Sequence, residues 1–242
     1  MSRTVVCIPT FCEVETIGEV LRRTRIALPD ADVLVIDDSS PDGTAREVER
    51  VAEQLGNIEL LVNPMKAGLG AAYRSGFRLV LQRDYDVVCS MDADLSHDPF
   101  VLPALVGAVA DGATLAIGSR YVAGGAIANW PPYRRALSRY GNRYARWMLD
   151  LELHDVTAGF RAFSARALAD IDVGSTRSSG YGFGIECAYR IAQRGLPACE
   201  VPITFVDRTL GKSKLSTRVA VEELLLVTLW GLRDRVTRRR RR

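Results

Sequence analysis

The sequence predicts an α/β fold: a mostly parallel central sheet with helices on both faces, and an amphipathic helix at the C-terminal end. Three observations predict it. Short apolar runs alternate with helix-like segments through the first half of the chain. The strand-like runs are apolar throughout rather than at every second residue, as expected of strands covered on both faces. The acidic and glycine-rich segments cluster just after those runs, where parallel sheets bind ligands.

The elements follow in order. Val5–Pro9 is a short apolar strand. Ile17–Leu28 is a helix, with Ile17, Val20, Leu21 and Leu28 near helical spacing. Ala31–Asp38, ADVLVIDD, is a buried strand ending in acids. Thr44–Leu55 is a helix, with Thr44 as N-cap and Glu47 completing a capping box. Ile58–Val62 is a strand, Leu69–Gln82 a helix, Tyr85–Met91 a strand, Pro99–Ala110 a helix and Thr114–Gly118 a strand. Beyond these, Tyr133–Leu149 reads as an Arg-rich helix and Thr157–Ser164 as a turn or strand. Tyr181–Arg194 is a helix, Glu200–Val206 a strand and Leu215–Arg235 a long helix. The organisation predicted is one catalytic unit over 1–218, followed by an amphipathic helix and basic tail over 219–242.

Charge and composition exclude several classes. The 242 residues carry a net charge of +3. The last ten hold seven Arg and one Asp, or +6, which leaves the other 232 at −3. A body that is mildly acidic does not present the basic face of a nucleic-acid-binding domain, so no nucleic-acid partner is expected. Five Cys without a CxxC pair, and only two His, argue for free thiols in a reducing compartment rather than a disulfide framework or zinc site. The most apolar stretch, Val219–Leu232, is interrupted by Glu222 and Glu223 and falls short of the ~20 residues that span a bilayer. The N-terminus reads directly into a strand, without a signal peptide.

The chemistry concentrates in a few segments. In VVCSMDADLSHDP an apolar strand runs into Asp92-Ala93-Asp94. If the chain stays extended, both carboxylates point to one side and repel unless a cation or a proton sits between them. Oxygen donors of this kind suit Mg²⁺ or Mn²⁺. The alternative is a solvated pair capping the next helix. In VLVIDDSSPDGT, Asp37 and Asp38 end a second strand and are placed to contact a ribose or base, whereas Asp42 fits a structural turn. KAGLGAAYRSGF puts Gly68 and Gly70 before a helix but is not a Walker A loop; the glycines either permit a tight helix entry or approach a ligand. Arg120 follows a strand end in GSRYVAGG. Arg134/Ser138 and Arg135/Arg139 lie four apart and share a helix face. FVDRTLGKSKLS sets Arg208, Lys212 and Lys214 in a loop suited to cover phosphate.

IPTFCEVETI, IDDSSPDGT, KAGLGAAYRSGF, MDADLSHDP, GSRYVAGG, DVTAGFRAF, GYGFGIE and DRTLGKSK occur in this order from Ile8 to Lys214. Together they resemble the polyprenol (dolichyl) phosphate mannose synthases, inverting family-2 glycosyltransferases with a GT-A (Rossmann-like) fold. The resemblance implies transfer of mannose from GDP-mannose to a polyprenyl phosphate with a Mg²⁺ or Mn²⁺ cofactor. It implies that Pro9, Phe11, Glu13, Ile36 and Asp38 line the nucleotide pocket. Asp92, Ala93 and Asp94 would hold metal and donor diphosphate, with Ser96 beside them at the metal where the family often has Gln. Cys12 stands where Asn is usual. Arg120, Arg134 and Ser138 would bind the acceptor phosphate, and Arg208 and Lys214 the donor diphosphate. Asp94, Arg120 and Arg134 are the expected catalytic residues. The other activities weighed are a UDP-glucose-dependent transferase on the same acceptor, a nucleotidyltransferase, and a non-catalytic lipid-surface module. The lipid acceptor implies a protein peripheral on the cytoplasmic face of the membrane. It docks there through Val219–Arg242 or through a membrane-anchoring protein; the alternative for the helix is packing on the core.

Overall fold

A computed structural model of the chain describes residues 2–178, 180, 182–207 and 217–240. The strands are β1 (Thr4–Thr10), β2 (Asp32–Asp37), β3 (Ile58–Val62), β4 (Val87–Ser90), β5 (Leu115–Ser119), β6 (Ala126–Ala128), β7 (Arg161–Ser164), β8 (Ala198–Pro202) and β9 (Thr204–Val206). The helices are α1 (Ile17–Ala27), α2 (Thr44–Leu55), α3 (Leu69–Val80), α4 (Leu102–Ala110), α5 (Pro132–Leu149), α6 (Ala165–Asp170), α7 (Gly182–Gln193) and α8 (Thr217–Arg240).

Seven strands form the main sheet in the order β3-β2-β1-β4-β7-β5-β8. All pair in parallel except β7, which runs antiparallel between β4 and β5. Successive residues of each strand feed opposite cores, which is why the runs are apolar throughout. Val5 and Cys7 of β1, with Leu34 and Ile36 of β2, pack under α3, α5 and α7. Val6 and Ile8, with Val33 and Val35, pack under α1, α2 and α4. The chain leaves β1 outward to β2 and β3, then returns to β4 on the other side. The carboxyl ends of β1 and β4 therefore flank the point where strand order reverses, the position of the ligand crevice in open sheets of this kind.

Several local expectations are corrected. The predicted strand at 200–206 is two strands: β8 stays in the main sheet, and past Ile203 the chain joins β6 in a separate parallel pair. Between Thr157 and Ser164, only Arg161–Ser164 is strand. Thr44 is not the N-cap of α2. Gly43 holds that position with φ +93°, a conformation glycine adopts without strain. The Thr44 hydroxyl instead donates to Asp42 and accepts from the Glu13 amide, and Glu47 pairs with Arg50, so no capping box forms. Asp42 is structural: its carboxylate also accepts from the amides of Thr44 and Val14.

The last helix is apolar on two sides. Val227 is buried, Gly231 sits on Met148 of α5, and the rings of Trp230 and Tyr189 stack at 5.7 Å. Val221, Leu225, Leu229, Leu232 and Val236 lie exposed at helical spacing on another side. A helix with one polar and one apolar face does not describe it.

Candidate active site

The acidic pair Asp92–Asp94 lies just past the end of β4, in a bend rather than in extended chain. Strand alternation is therefore not what orients the two carboxylates. Asp94 is buried, and its Oδ1 accepts from the Ser96 amide at 3.1 Å. Leu95 between them has φ +61°, a strained value for a side chain of that size. Asp92 is more open and lies against Gly159, where a Cβ would meet its Oδ1 at 3.3 Å. The Ser96 hydroxyl is buried and has no hydrogen-bond partner among the described residues.

His97 closes the bend from beneath. Its Nδ1 accepts from the Asp92 amide at 3.3 Å. Its ring stacks on Phe160 at 5.0 Å and meets the edge of Phe205 at 5.5 Å. Burial holds the imidazole pKa below its ordinary value, although Asp92 and Asp94 pull the other way. The ring is thus neutral at pH 7, and its 3.9 Å approach to Asp92 Oδ2 is not an ion pair.

The ends of β1 and β2 supply a second wall. Asp37 is committed to its own chain: Oδ1 accepts from the hydroxyls of Thr10 and Ser40, and Oδ2 from the Ser40 amide. It is scaffold, not the ribose contact expected. Asp38 accepts from Asn63 at 2.8 Å and is also buried. Pro9 is half-buried, and the Ile36 side chain is fully buried in the core. Ile36 therefore underlies the pocket without projecting into it. Phe11 lies under the Lys66 ammonium at 3.8 Å. Cys12 has φ +56°, and its amide donates to Ser40 Oγ. A left-handed residue here is the physical reason Asn suits the position, since Asn tolerates that conformation better than most residues. The Glu13 carboxylate takes a 3.4 Å hydrogen bond from Thr16.

A third wall carries the arginines. Arg120 donates from its amide (2.9 Å) and Nε (2.6 Å) to Asp155 Oδ2, and from Nη2 to Asp155 Oδ1 (2.6 Å) and Thr157. Burial works against its charge, and the Asp155 carboxylate more than offsets that, so its pKa rises. Arg134 pairs with Asp207 at 2.9 Å and lies over the Trp130 ring at 4.2 Å. Arg120 stands over the same ring at 5.4 Å, so two guanidinium groups from separate elements converge on one indole. Ser138 accepts from the Tyr121 hydroxyl at 2.7 Å. The sequence reading treats Arg120 and Arg134 as bare cations, whereas the fold gives each a carboxylate.

Several supporting residues escaped that reading. Asp155, Asp207, Trp130 and His97 have no local pattern that assigns them a role. Arg161 is fully buried; it donates to the carbonyls of Val156, Ala158 and Gly184 and so fixes the loop that presents Asp155. Arg208 and Lys214 lie outside the described residues.

This arrangement can be set against known proteins. The family model "Glycosyl transferase family 2" matches residues 5–172. The chain belongs to glycosyl transferase family 2. Its curated relatives include the undecaprenyl-phosphate mannosyltransferase of Micrococcus luteus, 47% identical over 96% of both chains. They include the polyprenol monophosphomannose synthase of Mycolicibacterium smegmatis, 44% identical over 98% of this chain and 90% of that one. Among solved structures, glucosyl-3-phosphoglycerate synthase from Mycobacterium tuberculosis, in complex with Mn²⁺, UDP-glucose and phosphoglyceric acid, superposes with a TM-score of 0.68. That likeness covers 95% of this chain and 79% of the other at 17% identity, a shared fold. The protein is a family-2 glycosyltransferase of GT-A fold, as its motifs predict. The family match ends at residue 172, after the acidic bend, Arg120, Arg134 and Asp155 but before Asp207 and α8.

Proposed function

We propose that this glycosyltransferase moves mannose from GDP-mannose to a polyprenyl (dolichyl) phosphate with inversion, releasing GDP. The observation that carries this is the identity of 47% and 44% to two proteins named for that class of acceptor, over nearly the whole chain. The site is compatible with it. The donor diphosphate belongs at the end of β4, and Asp92 and Asp94 would hold a divalent cation there, Mg²⁺ or Mn²⁺. The donor set fits a cation held by few protein ligands: two carboxylates with the orphaned, buried Ser96 hydroxyl beside them, although the described residues hold no group of three or more metal-binding His, Cys, Asp or Glu. Such a site leaves coordination positions to phosphate oxygens and water. When bound, the cation neutralises charge on the departing diphosphate. His97 holds the Asp92 amide and so fixes the bend. Pro9, Phe11, Glu13 and Asp38 would line the nucleotide side above Ile36, and Arg208 and Lys214, which lie outside the described residues, are assigned to the diphosphate by their motif alone.

The acceptor belongs where Arg120 and Arg134 converge over Trp130, with Ser138 beside them. A phosphate monoester has a second pKa of about 6, so it is mostly dianionic at pH 7 and is itself the nucleophile. No general base is needed. What the residues must do is hold two phosphates close together despite their repulsion. Arg120, anchored by Asp155, and Arg134, anchored by Asp207, supply fixed positive charge for this.

A membrane surface is the second part of the proposal. No helix among the described residues is long and apolar enough to cross a membrane. Yet Tyr133, Leu137, Tyr140 and Trp147 form an exposed stripe along α5 at intervals of four, three and seven. The exposed apolar stripe of α8 runs beside it, since the helices touch at Tyr144–Thr228 and Met148–Gly231. Aromatic and aliphatic side chains displayed this way suit the interface of a bilayer, which supports a peripheral protein; the cytoplasmic face is the one proposed.

Radiolabelled GDP-mannose, polyprenyl phosphate and Mg²⁺ or Mn²⁺ test the chemistry, with organic extraction of product. Label in the lipid phase is expected, lost with chelator and reduced at least a hundredfold by Asp94→Ala. Transfer from UDP-glucose in place of GDP-mannose would reassign the donor, and no lipid product from either sugar nucleotide would reject the function.

A further inference from the structure

Arg139, Arg143 and Arg146 follow one another on α5 at intervals of four and three, along one side of the helix. With Tyr121, Trp147 and His154 they line an open cleft of about 560 Å³. Among the described residues, no carboxylate lines it. None of the three arginines has an ion-pair partner among the described residues, whereas Arg120 and Arg134 nearby each have one. Like charges at these spacings destabilise a helix unless something answers them. The Arg146 Nε is buried without a hydrogen-bond partner. A solvated basic face accounts for exposed arginines, but not for a concave wall with an orphaned donor inside it.

The cleft adjoins the acceptor site but presents different arginines. Arg139 is five residues beyond Arg134, roughly 140° around the helix. Tyr121 is the wall the two share: its hydroxyl donates to Ser138, and the guanidinium groups of Arg120 and Arg139 lie 5.4 Å and 5.8 Å from its ring. The cleft is also continuous with the exposed aromatic stripe, because Trp147 belongs to both. A planar guanidinium matches a phosphate oxygen pair, and three of them beside interfacial aromatics match a lipid headgroup.

We propose that the Arg139–Arg143–Arg146 cleft binds the phosphodiester headgroup of an anionic phospholipid, a second lipid-phosphate site distinct from that of the acceptor. This rests on α5 meeting a bilayer, and the test separates the two ideas. Full-length protein is sedimented with vesicles of phosphatidylcholine alone and of phosphatidylcholine with phosphatidylglycerol. The wild type is expected to prefer the anionic vesicles. Each arginine near such a surface contributes about fivefold in affinity, so R139Q/R143Q/R146Q is expected to bind anionic vesicles roughly a hundredfold more weakly and neutral ones unchanged. Retained anionic preference, or equal loss on both vesicle types, overturns the cleft. Failure of wild type to bind either vesicle overturns the membrane surface itself. If inorganic phosphate binds the wild type while phosphatidylglycerol confers no preference, the ligand is free phosphate and the proposal falls. Mannosyl transfer to a short-chain, water-soluble polyprenyl phosphate without vesicles is expected to be unchanged in the triple variant. Its loss would assign these arginines to the transfer site and overturn a separate function.

Discussion

Asp155→Ala tests whether the arginine wall depends on a buried counter-charge. Asp155 is fully buried and the Arg120 side chain is 7% exposed. Three hydrogen bonds of 2.6–2.9 Å join Arg120 to Asp155, and Thr157 accepts from Arg120 at 2.8 Å. Removing the carboxylate leaves a mostly buried guanidinium without its counter-charge, and one that cannot lose its own charge. Breaking a buried pair from one side in this way costs about 3–5 kcal/mol. For a chain of this size each kcal/mol moves Tm by about 2–4 °C, so a drop of about 6–20 °C is expected in calorimetry. Asp207→Ala is the control. Its pair with Arg134 is about one-quarter exposed on both sides, and a loss of no more than about 1 kcal/mol is expected there. The double variant Arg120→Met/Asp155→Leu removes both charges and should recover most of the stability without recovering transfer. If Asp155→Ala falls within about 1 kcal/mol of wild type, or matches Asp207→Ala, the buried-pair reasoning is wrong.

Other outcomes follow from the same geometry. His97 has its pKa lowered by burial, so protonation favours the unfolded chain. Its contribution is complete above about pH 6.5 and is lost as pH falls below that value. Urea midpoints at about pH 8 and about pH 5.5 should therefore differ less in His97→Phe than in wild type, and an equal difference would refute this. Gly231→Ala drives a methyl into Met148; a loss of about 1–3 kcal/mol is expected, seen as a lower Tm, and a neutral result would mean that α8 does not pack on α5 as described. Cys12 is exposed, whereas Cys7, Cys89 and Cys187 are buried, and burial pushes the thiols of Cys89 and Cys187 up to about 12. A thiol reagent should label Cys12 first and the other three only on unfolding, with GDP slowing the reaction at Cys12. Fast labelling of Cys89 in the folded protein would contradict the burial.

The sequence by itself determined the layered α/β core, because whether a run is buried on one face or two is written in the run itself. Val5–Pro9 and Val33–Ile36 needed no partner to be read as central strands. It also placed the acidic bend and the Arg120 segment at strand ends, and their order marked the family. Tertiary structure decided what those residues do. Arg120 finds Asp155 across 35 residues and Arg134 finds Asp207 across 73, and no local spacing rule connects such pairs. The insertion of β7 antiparallel between β4 and β5 was equally hidden, since a strand's direction depends on where the chain re-enters the sheet. Even the local capping rule at Thr44 gave way, because Gly43 can take a positive φ and Asp42 can take the hydroxyl. On α8 the sequence offered one apolar face for one purpose. Docking against α5 consumes one side of that helix and leaves another exposed, a division that arises only when the two helices meet.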